Sequence, residues 1–212
     1  MAEVGIRLDQ VTIRSAGQVL IDGLSAEVKP GHTLSIMGPS GSGKSTLLAA
    51  ITGTLAPEFQ LDGGIWLNGR DLRPLKPQHR CVGILFQDHL LFPHLSVGEN
   101  LAFGLRAGRD DRRRRVAAAL SDVGLEGFAD RDPATLSGGQ RARVALMRML
   151  LAEPQALLLD EPFSRLDAAL RGRIRELVFT RAQNADLPVI MVTHDIEDAK
   201  SAGGEVIHLT QT

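Results

Sequence analysis

The chain has one cysteine, no tyrosine, one tryptophan and almost no net charge. Cys81 alone excludes an internal disulfide and a multi-cysteine zinc site, and it suits a reducing compartment. It adjoins the apolar run Val82-Gly83-Ile84-Leu85-Phe86, which predicts a buried small hydrophobe. No apolar stretch approaches the roughly 18 residues of a membrane span, and Met1-Ala2-Glu3 does not open a signal peptide. A role at a membrane therefore requires something else to carry the chain there. The formal charge of -1 offers no general attraction for nucleic acid, whose binders carry a basic excess. Internal repeats and low-complexity segments are missing too. With 212 residues and 43% apolar content, the chain can bury one substantial core, or one core with a subdomain attached.

Against this plain background stands Gly38-Pro39-Ser40-Gly41-Ser42-Gly43-Lys44-Ser45-Thr46, which fits G-x-x-x-x-G-K-[ST]. Thr33 to Met37 reads as a short buried strand before it, and Thr46 to Thr52 as a helix stopped by Gly53. A lone GxxxxG is an ordinary turn before a helix. Strand, loop, Lys-Ser-Thr and helix together make a phosphate cradle, in which glycines let successive N–H groups face inward and the helix start adds partial positive charge. Lys44 is placed to reach the β- and γ-phosphates and the Ser45 hydroxyl to ligate Mg²⁺.

The first thirty residues alternate in polarity over Ile6–Leu8, Val11–Arg14, Gln18–Ile21 and Leu24–Val28, with turns at Ser15-Ala16-Gly17 and Asp22-Gly23. They predict an antiparallel β-layer, joined by Ile65-Trp66-Leu67 and the turn Asn68-Gly69. Val82 to Phe86 predicts a central parallel strand with polar Gln87 at its tip, where ligands of open α/β sheets collect.

From Asp88 to about Glu153 the period turns helical. Ser96-Val97-Gly98-Glu99 is a capping box, and Val116, Leu120 and Val123 mark one helix face. Arg112 to Arg115 read as a solvated face beside Asp110 and Asp111, in preference to a lipid-headgroup patch. Leu136-Ser137-Gly138-Gly139-Gln140 then opens another helix. Ser137 and Gln140 suffice as a capping box, yet two glycines in a first turn cost about 1 kcal/mol each relative to alanine, which suggests that bare backbone is wanted there for an anion.

Ala156 to Leu159 is a further buried strand, ending in Asp160-Glu161. Asp160 at the tip is placed to hold Mg²⁺ and Glu161 to take a proton from an attacking water; helix-capping acids are the plainer alternative. Ser164-Arg165-Leu166-Asp167 leads into a helix with Leu170, Ile174, Leu177 and Val178 on one face. Val189 to Thr193 is a last central strand, with His194-Asp195 at its tip on the edge shared by Gln87 and Asp160. The sequence stops soon after Ile207-His208-Leu209, from which no C-terminal regulatory domain is expected.

In order, GPSGSGKST, Gln87, LSGGQ, LLLDEP, SRLD and His194 closely resemble the ATP-binding subunits of ABC transporters, over nearly the whole chain. Leu91 to Val97 and Glu99-Asn100-Leu101 are most similar to bacterial importers of the thiamine, polyamine, iron and sulfate group. The resemblance implies an α/β, RecA-like P-loop NTPase with a mostly parallel core sheet, an N-terminal antiparallel β-subdomain and an inserted α-helical subdomain. It forms one ABC ATPase domain, divided as 1–87, 88–153 and 154–212. ATP and Mg²⁺ are the implied cofactors. The backbone and side chains of Gly38, Pro39, Ser40, Gly41, Ser42, Gly43, Lys44, Ser45 and Thr46 would hold phosphate. Ser45, Gln87 and Asp160 would hold magnesium, Gln87 would link the magnesium or the lytic water to the membrane partner, Glu161 would be the general base, and His194 would touch the γ-phosphate. Ser137, Gly138, Gly139 and Gln140 would act on the ATP of the opposite protomer in a head-to-tail homodimer, with Asp167 in the loop crossing the interface. Membrane permease subunits, and through them a solute-binding protein, are the implied partners at the cytoplasmic face of the bacterial inner membrane; nucleic acid is not. The stretch after Gln87 would form the groove for a short permease helix.

Three positions depart from the family pattern. Ser15 stands where an aromatic residue usually stacks on adenine, Arg165 replaces a small residue in the SALD-type loop, and Ala142 replaces a second glutamine. Two other readings compete. An ABC ATPase acting on nucleic acid or ribosomes lacks support from the charge and from any second cassette or long insertion. A small-molecule kinase sharing only the phosphate loop leaves LSGGQ without a reason.

Overall fold

The computed structural model describes residues 5–86, 88, 90–105 and 111–210. Gln87, to which the sequence assigns a magnesium and water contact, lies outside them.

An antiparallel sheet is built from β1 (Ile6–Ser15), β2 (Gln18–Val28), β4 (Phe59–Leu67) and β5 (Arg70–Asp71), in the order β2-β1-β4-β5. The predicted turn at Asp22-Gly23 does not form. β2 runs straight through it, and the β1–β2 register shifts there, with Val11 opposite Leu24 and Ile13 opposite Ile21. A bulge absorbs the extra residue while pairing continues on both sides, so the glycine serves a strand irregularity.

The second sheet is parallel, with β6 (Val82–Leu85), β7 (Ala156–Asp160), β8 (Val189–Val192), β3 (Thr33–Met37) and β9 (Glu205–His208) in that order. β6 is therefore an edge strand and not the central one its apolar run predicts; its residues are mostly half-buried. Side chains of the central strands alternate between two cores. Leu158, Ile190, Val192, Leu34 and Ile36 face Ile6, Leu8, Ile13 and Ile65 of the antiparallel sheet and Leu47, Leu48 and Ile51 of α1 (Lys44–Thr52). Leu157, Leu159, Val189 and Met191 face a helical layer. That layer includes α2 (Val97–Gly104), α3 (Arg112–Asp122), α4 (Gly138–Leu151) and α5 (Ala168–Asn184); α6 (Ile196–Ala202) follows β8. Gly104 lets α2 and α4 close on each other, since a Cβ there would lie 2.2 Å from Arg148 O.

Cys81 is exposed, contrary to the expectation of burial, and has a positive φ of 56°. Its neighbour Arg80 is the buried one, at 6% exposure. The Arg80 guanidinium donates to Ala50 O and Ile51 O, both at 2.8 Å, and so satisfies the carbonyl end of α1. Burying this hydrogen-bonded group leaves the small thiol facing solvent.

Candidate functional site

Parallel register sets the site. Ile36, Val192 and Asp160 lie side by side across β3, β8 and β7, so the segments leaving these strands emerge along one edge. A cleft of about 430 Å³ opens there, lined by Leu20, Gly38, Ser40, Gly41, Gly43, Lys44, Ser45, Thr46, Asp160, Glu161 and His194. Pro39 joins it through its carbonyl, while Ser42 is buried beneath, with its hydroxyl unpartnered among the described residues.

The helix starts explain the cleft's charge preference. Ser96, Ser137, Asp167 and Asp195 cap α2, α4, α5 and α6 with their own side chains. Gly43 at the start of α1 supplies no side-chain cap, and no acid stands in its first turn. The terminal N–H groups and the positive end of the dipole are thus left for an anion. Gly43 has φ of 86°, and a Cβ there would press on Ile21 at 3.1 Å; at Gly38 it would lie 2.6 Å from Leu209 O. Lys44 Nζ donates to Gly38 O at 2.9 Å and Pro39 O at 2.6 Å, holding its charge over the loop. α1 begins at Lys44, two residues before the predicted start, so Lys44 and Ser45 belong to its first turn.

Burial pushes the Asp160 carboxyl above the ordinary carboxylate range; a hydrogen bond with Ser45 pulls it partly back, Glu161 adds to the push, and Lys44 opposes it. Ser45 and Asp160 give one hydroxyl and one carboxylate side by side at the Gly38–Thr46 loop. That donor set fits Mg²⁺, which takes one or two protein oxygens and completes its shell with phosphate and water. Among the described residues no group of three or more His, Cys, Asp or Glu side chains could hold a metal unaided.

Glu161 has φ of 47°, a left-handed conformation that costs about 1 kcal/mol or more in a residue with a side chain. The turn is held by Glu161 N donating to Val192 O at 2.9 Å and by Ser164 Oγ donating to Glu161 O at 2.9 Å. Its side chain is brought to His194, with Nδ1 2.9 Å from Glu161 Oε1.

Ser137, Gly138, Gly139 and Gln140 do not line this cleft. Both arms of the capping box are present: Gln140 N donates to Ser137 Oγ at 3.2 Å and Ser137 N to Gln140 Oε1 at 2.8 Å. A Cβ on Gly138 would meet nothing within 4 Å, so nothing in the single chain requires a glycine there.

Several participants gave no local signal in the sequence. Among the described residues, Leu20 is the one apolar side chain of the antiparallel sheet that lines the cleft, on the sheet where Ser15 stands in place of the expected aromatic. Arg165 pairs with Asp88 at 2.7 Å, joining the loop before α5 to the segment after β6. A separate groove of about 320 Å³ beside β6 is lined by Ile84, Phe86, Phe92, Phe103, Arg148 and Met149, among others. Fully buried Asn100 anchors its rim: Oδ1 accepts from Phe92 N at 2.8 Å, and Nδ2 donates to Phe92 O and Leu95 O, both at 3.1 Å.

The family model described as "ABC transporter" matches residues 21–164. The uncharacterized ABC transporter ATP-binding protein YnjD of Escherichia coli K12 is 48% identical over 203 residues, covering 95% of this chain and 93% of that protein. The thiamine import ATP-binding protein ThiQ of Cereibacter sphaeroides is 47% identical over 199 residues, covering 92% and 84%. Among solved structures, the dimeric bacterial ABC transporter cassette MJ0796 superposes with a TM-score of 0.84 at 32% identity, covering 97% of this chain and 94% of that one. A post-hydrolysis state of the same cassette with ADP and Pi bound gives 0.83 at 31%, covering 97% and 96%.

Proposed function

Since the chain belongs to the ABC transporter family as an ATP-binding, ATP-hydrolysing subunit, we propose that it drives solute import through a separate membrane permease, working as a head-to-tail homodimer. The observation that carries the proposal is the division of the machinery. One cleft gathers Lys44, Ser45, Asp160, Glu161 and His194, while the Ser137–Gln140 helix start stays outside it. Completion by a second copy accounts for both halves, and the open space at Gly138 leaves room for a close approach.

In this reading the Gly38–Thr46 loop and Lys44 grip the triphosphate of ATP, and Ser45 and Asp160 hold Mg²⁺, with Gln87 as a third contact. The metal, when bound, neutralises phosphate charge. Glu161 accepts the proton of the attacking water, and His194 holds Glu161 through Nδ1 and meets the γ-phosphate. Ser137, Gly138, Gly139 and Gln140 of one copy close on the ATP of the other. Closure and reopening supply the two states that a permease converts into alternating access.

The groove beside β6 receives the permease: Phe103 of α2, which lines it, is 66% exposed, and Leu90, whose carbonyl accepts from the groove residue Arg148, is 61% exposed, more apolar surface than the single chain needs to show to solvent. No helix among the described residues is long and apolar enough to cross a membrane, which suits a peripheral subunit at the cytoplasmic face of a bacterial inner membrane. A solute-binding protein on the far side chooses the cargo. Of the three parts of the chain, 1–87 carries the antiparallel layer and the Gly38–Thr46 loop, 88–153 is the helical part that ends in the Ser137–Gln140 helix and supplies most of the permease contact, and 154–212 carries Asp160, Glu161 and His194.

The test is light scattering of Glu161→Gln with and without Mg·ATP, together with recovery of a membrane protein from native cells. An ATP-dependent doubling of mass and a co-purifying permease are expected. A monomer at saturating ATP overturns the proposal.

A further inference from the structure

His194 is largely exposed, and its side chain is 66% accessible, so little packing holds it against Glu161. Its position is set by its chain neighbours, and both are tied. Buried Thr193 donates through Oγ1 to Asp198 Oδ2 at 3.3 Å and accepts from Asp195 N at 3.0 Å. Asp195 caps α6 by accepting from Glu197 N at 2.8 Å, and its second oxygen takes Arg171 Nη1 at 2.6 Å. One turn on, Asp198, only 2% exposed, pairs with Arg175 at 2.6 Å.

Arg171 and Arg175 are themselves one turn apart on α5, so one face of that helix meets two acids on one face of α6. The Nε atoms of both arginines are buried without a hydrogen-bond partner among the described residues. The Arg175–Asp198 pair is mostly withdrawn from water, with side chains 15% and 3% exposed, while the Arg171–Asp195 pair keeps 25% and 27%. A buried pair offsets its Coulombic gain by desolvation and a half-exposed one contributes little to stability, so fixing one arrangement over others is the better-attested use of such a pairing. α5 directly follows the loop that starts at Glu161, and α6 directly follows His194. A clamp between the two helices therefore fixes the two loops that must bring Glu161 and His194 together.

The geometry points to Arg171 and Arg175 as positioning residues of the hydrolytic centre, acting through Asp195, Asp198 and Thr193 to hold His194 on Glu161. This inference rests on the ATPase reading above. It assigns neither arginine a contact with nucleotide.

The experiment compares Arg171→Met, Arg171→Lys, His194→Ala and the double variant Arg171→Met/His194→Ala in the full chain. Turnover, KM for Mg·ATP and thermal midpoint are measured, with single-turnover assays for slow variants. Arg171→Met is expected to lower kcat about tenfold with KM within about twofold, and Arg171→Lys to recover part of the loss. In the His194→Ala background the same change should cost nothing further, because both act on one contact. An equal fold-loss in both backgrounds, or an unchanged kcat, overturns the clamp. A crystal structure of Arg171→Met that retains the 2.9 Å contact between His194 and Glu161 overturns it whatever the activity. If Arg171→Met does not fold, Asp195→Asn breaks the same pair from the other side while keeping the cap oxygen, and the same outcomes decide. A wild-type chain that fails to hydrolyse ATP sinks the ATPase reading, while the crystallographic comparison still judges the clamp.

Discussion

Arg80 fills the space that Gly53 leaves: a Cβ on Gly53 would lie 2.6 Å from both Cζ and Nε of the guanidinium. The arginine reaches the last carbonyls of α1 only because residue 53 has no side chain and turns with φ of 80°. Hydrogen bonds to charged groups contribute about 1.5–3 kcal/mol, so Arg80→Met should destabilise the chain by roughly that amount, because it takes the guanidinium from Ile51 O and leaves Ala50 O only the longer bond from Gly53 N at 3.3 Å. Gly53→Ala should cost at least as much, through the collision and the left-handed backbone together. Urea denaturation of the two variants and the wild type checks both, and an unchanged midpoint for Gly53→Ala would refute the fit described here.

Glu161→Gln should leave ATP binding intact and lower turnover by about 10²- to 10⁴-fold, the usual worth of a positioned base. Phosphate release under single-turnover conditions is the measurement. A wild-type rate would remove Glu161 from the role.

Asp160 gives a pH-dependent prediction with a definite sign. Its folded-state pKa is raised by burial, so the folded chain holds this proton more tightly than the unfolded chain, and the carboxylate weakens the nucleotide-free fold at neutral pH. Asp160→Asn should therefore raise the thermal midpoint near pH 7, while abolishing Mg²⁺-dependent hydrolysis. The gain should fade as pH drops through the raised value and vanish below 3.8, where the wild-type side chain is protonated in both states. Calorimetry across pH tests it, and a gain that grows on acidification contradicts it.

Phe103→Ser should leave ATP hydrolysis by the isolated subunit within about twofold, since Phe103 lies in the groove beside β6 and away from the cleft. Co-purification of the permease should fall several-fold. Normal recovery of the complex would place the docking surface elsewhere.

Asn100→Ala should cost about 2–4 kcal/mol, because a fully buried amide with several backbone partners is lost and those partners are left unsatisfied. Amide exchange should show early opening of the 92–96 segment. Unaltered protection there would mean that the rim is held by other contacts.

The sequence alone determined the phosphate loop, both capping boxes and the carboxylates at the end of β7, because each is a contiguous pattern whose backbone chemistry follows from neighbouring residues. Tertiary structure decided what contiguity does not contain. It placed β6 at the sheet edge, carried β2 through Asp22-Gly23 on a bulge, and exposed Cys81 while burying Arg80. It also joined Arg171 to Asp195 and Asn100 to Phe92. These outcomes depend on which strands pair and which helices touch, and the free energy of such contacts belongs to groups brought together only after the chain has closed on itself.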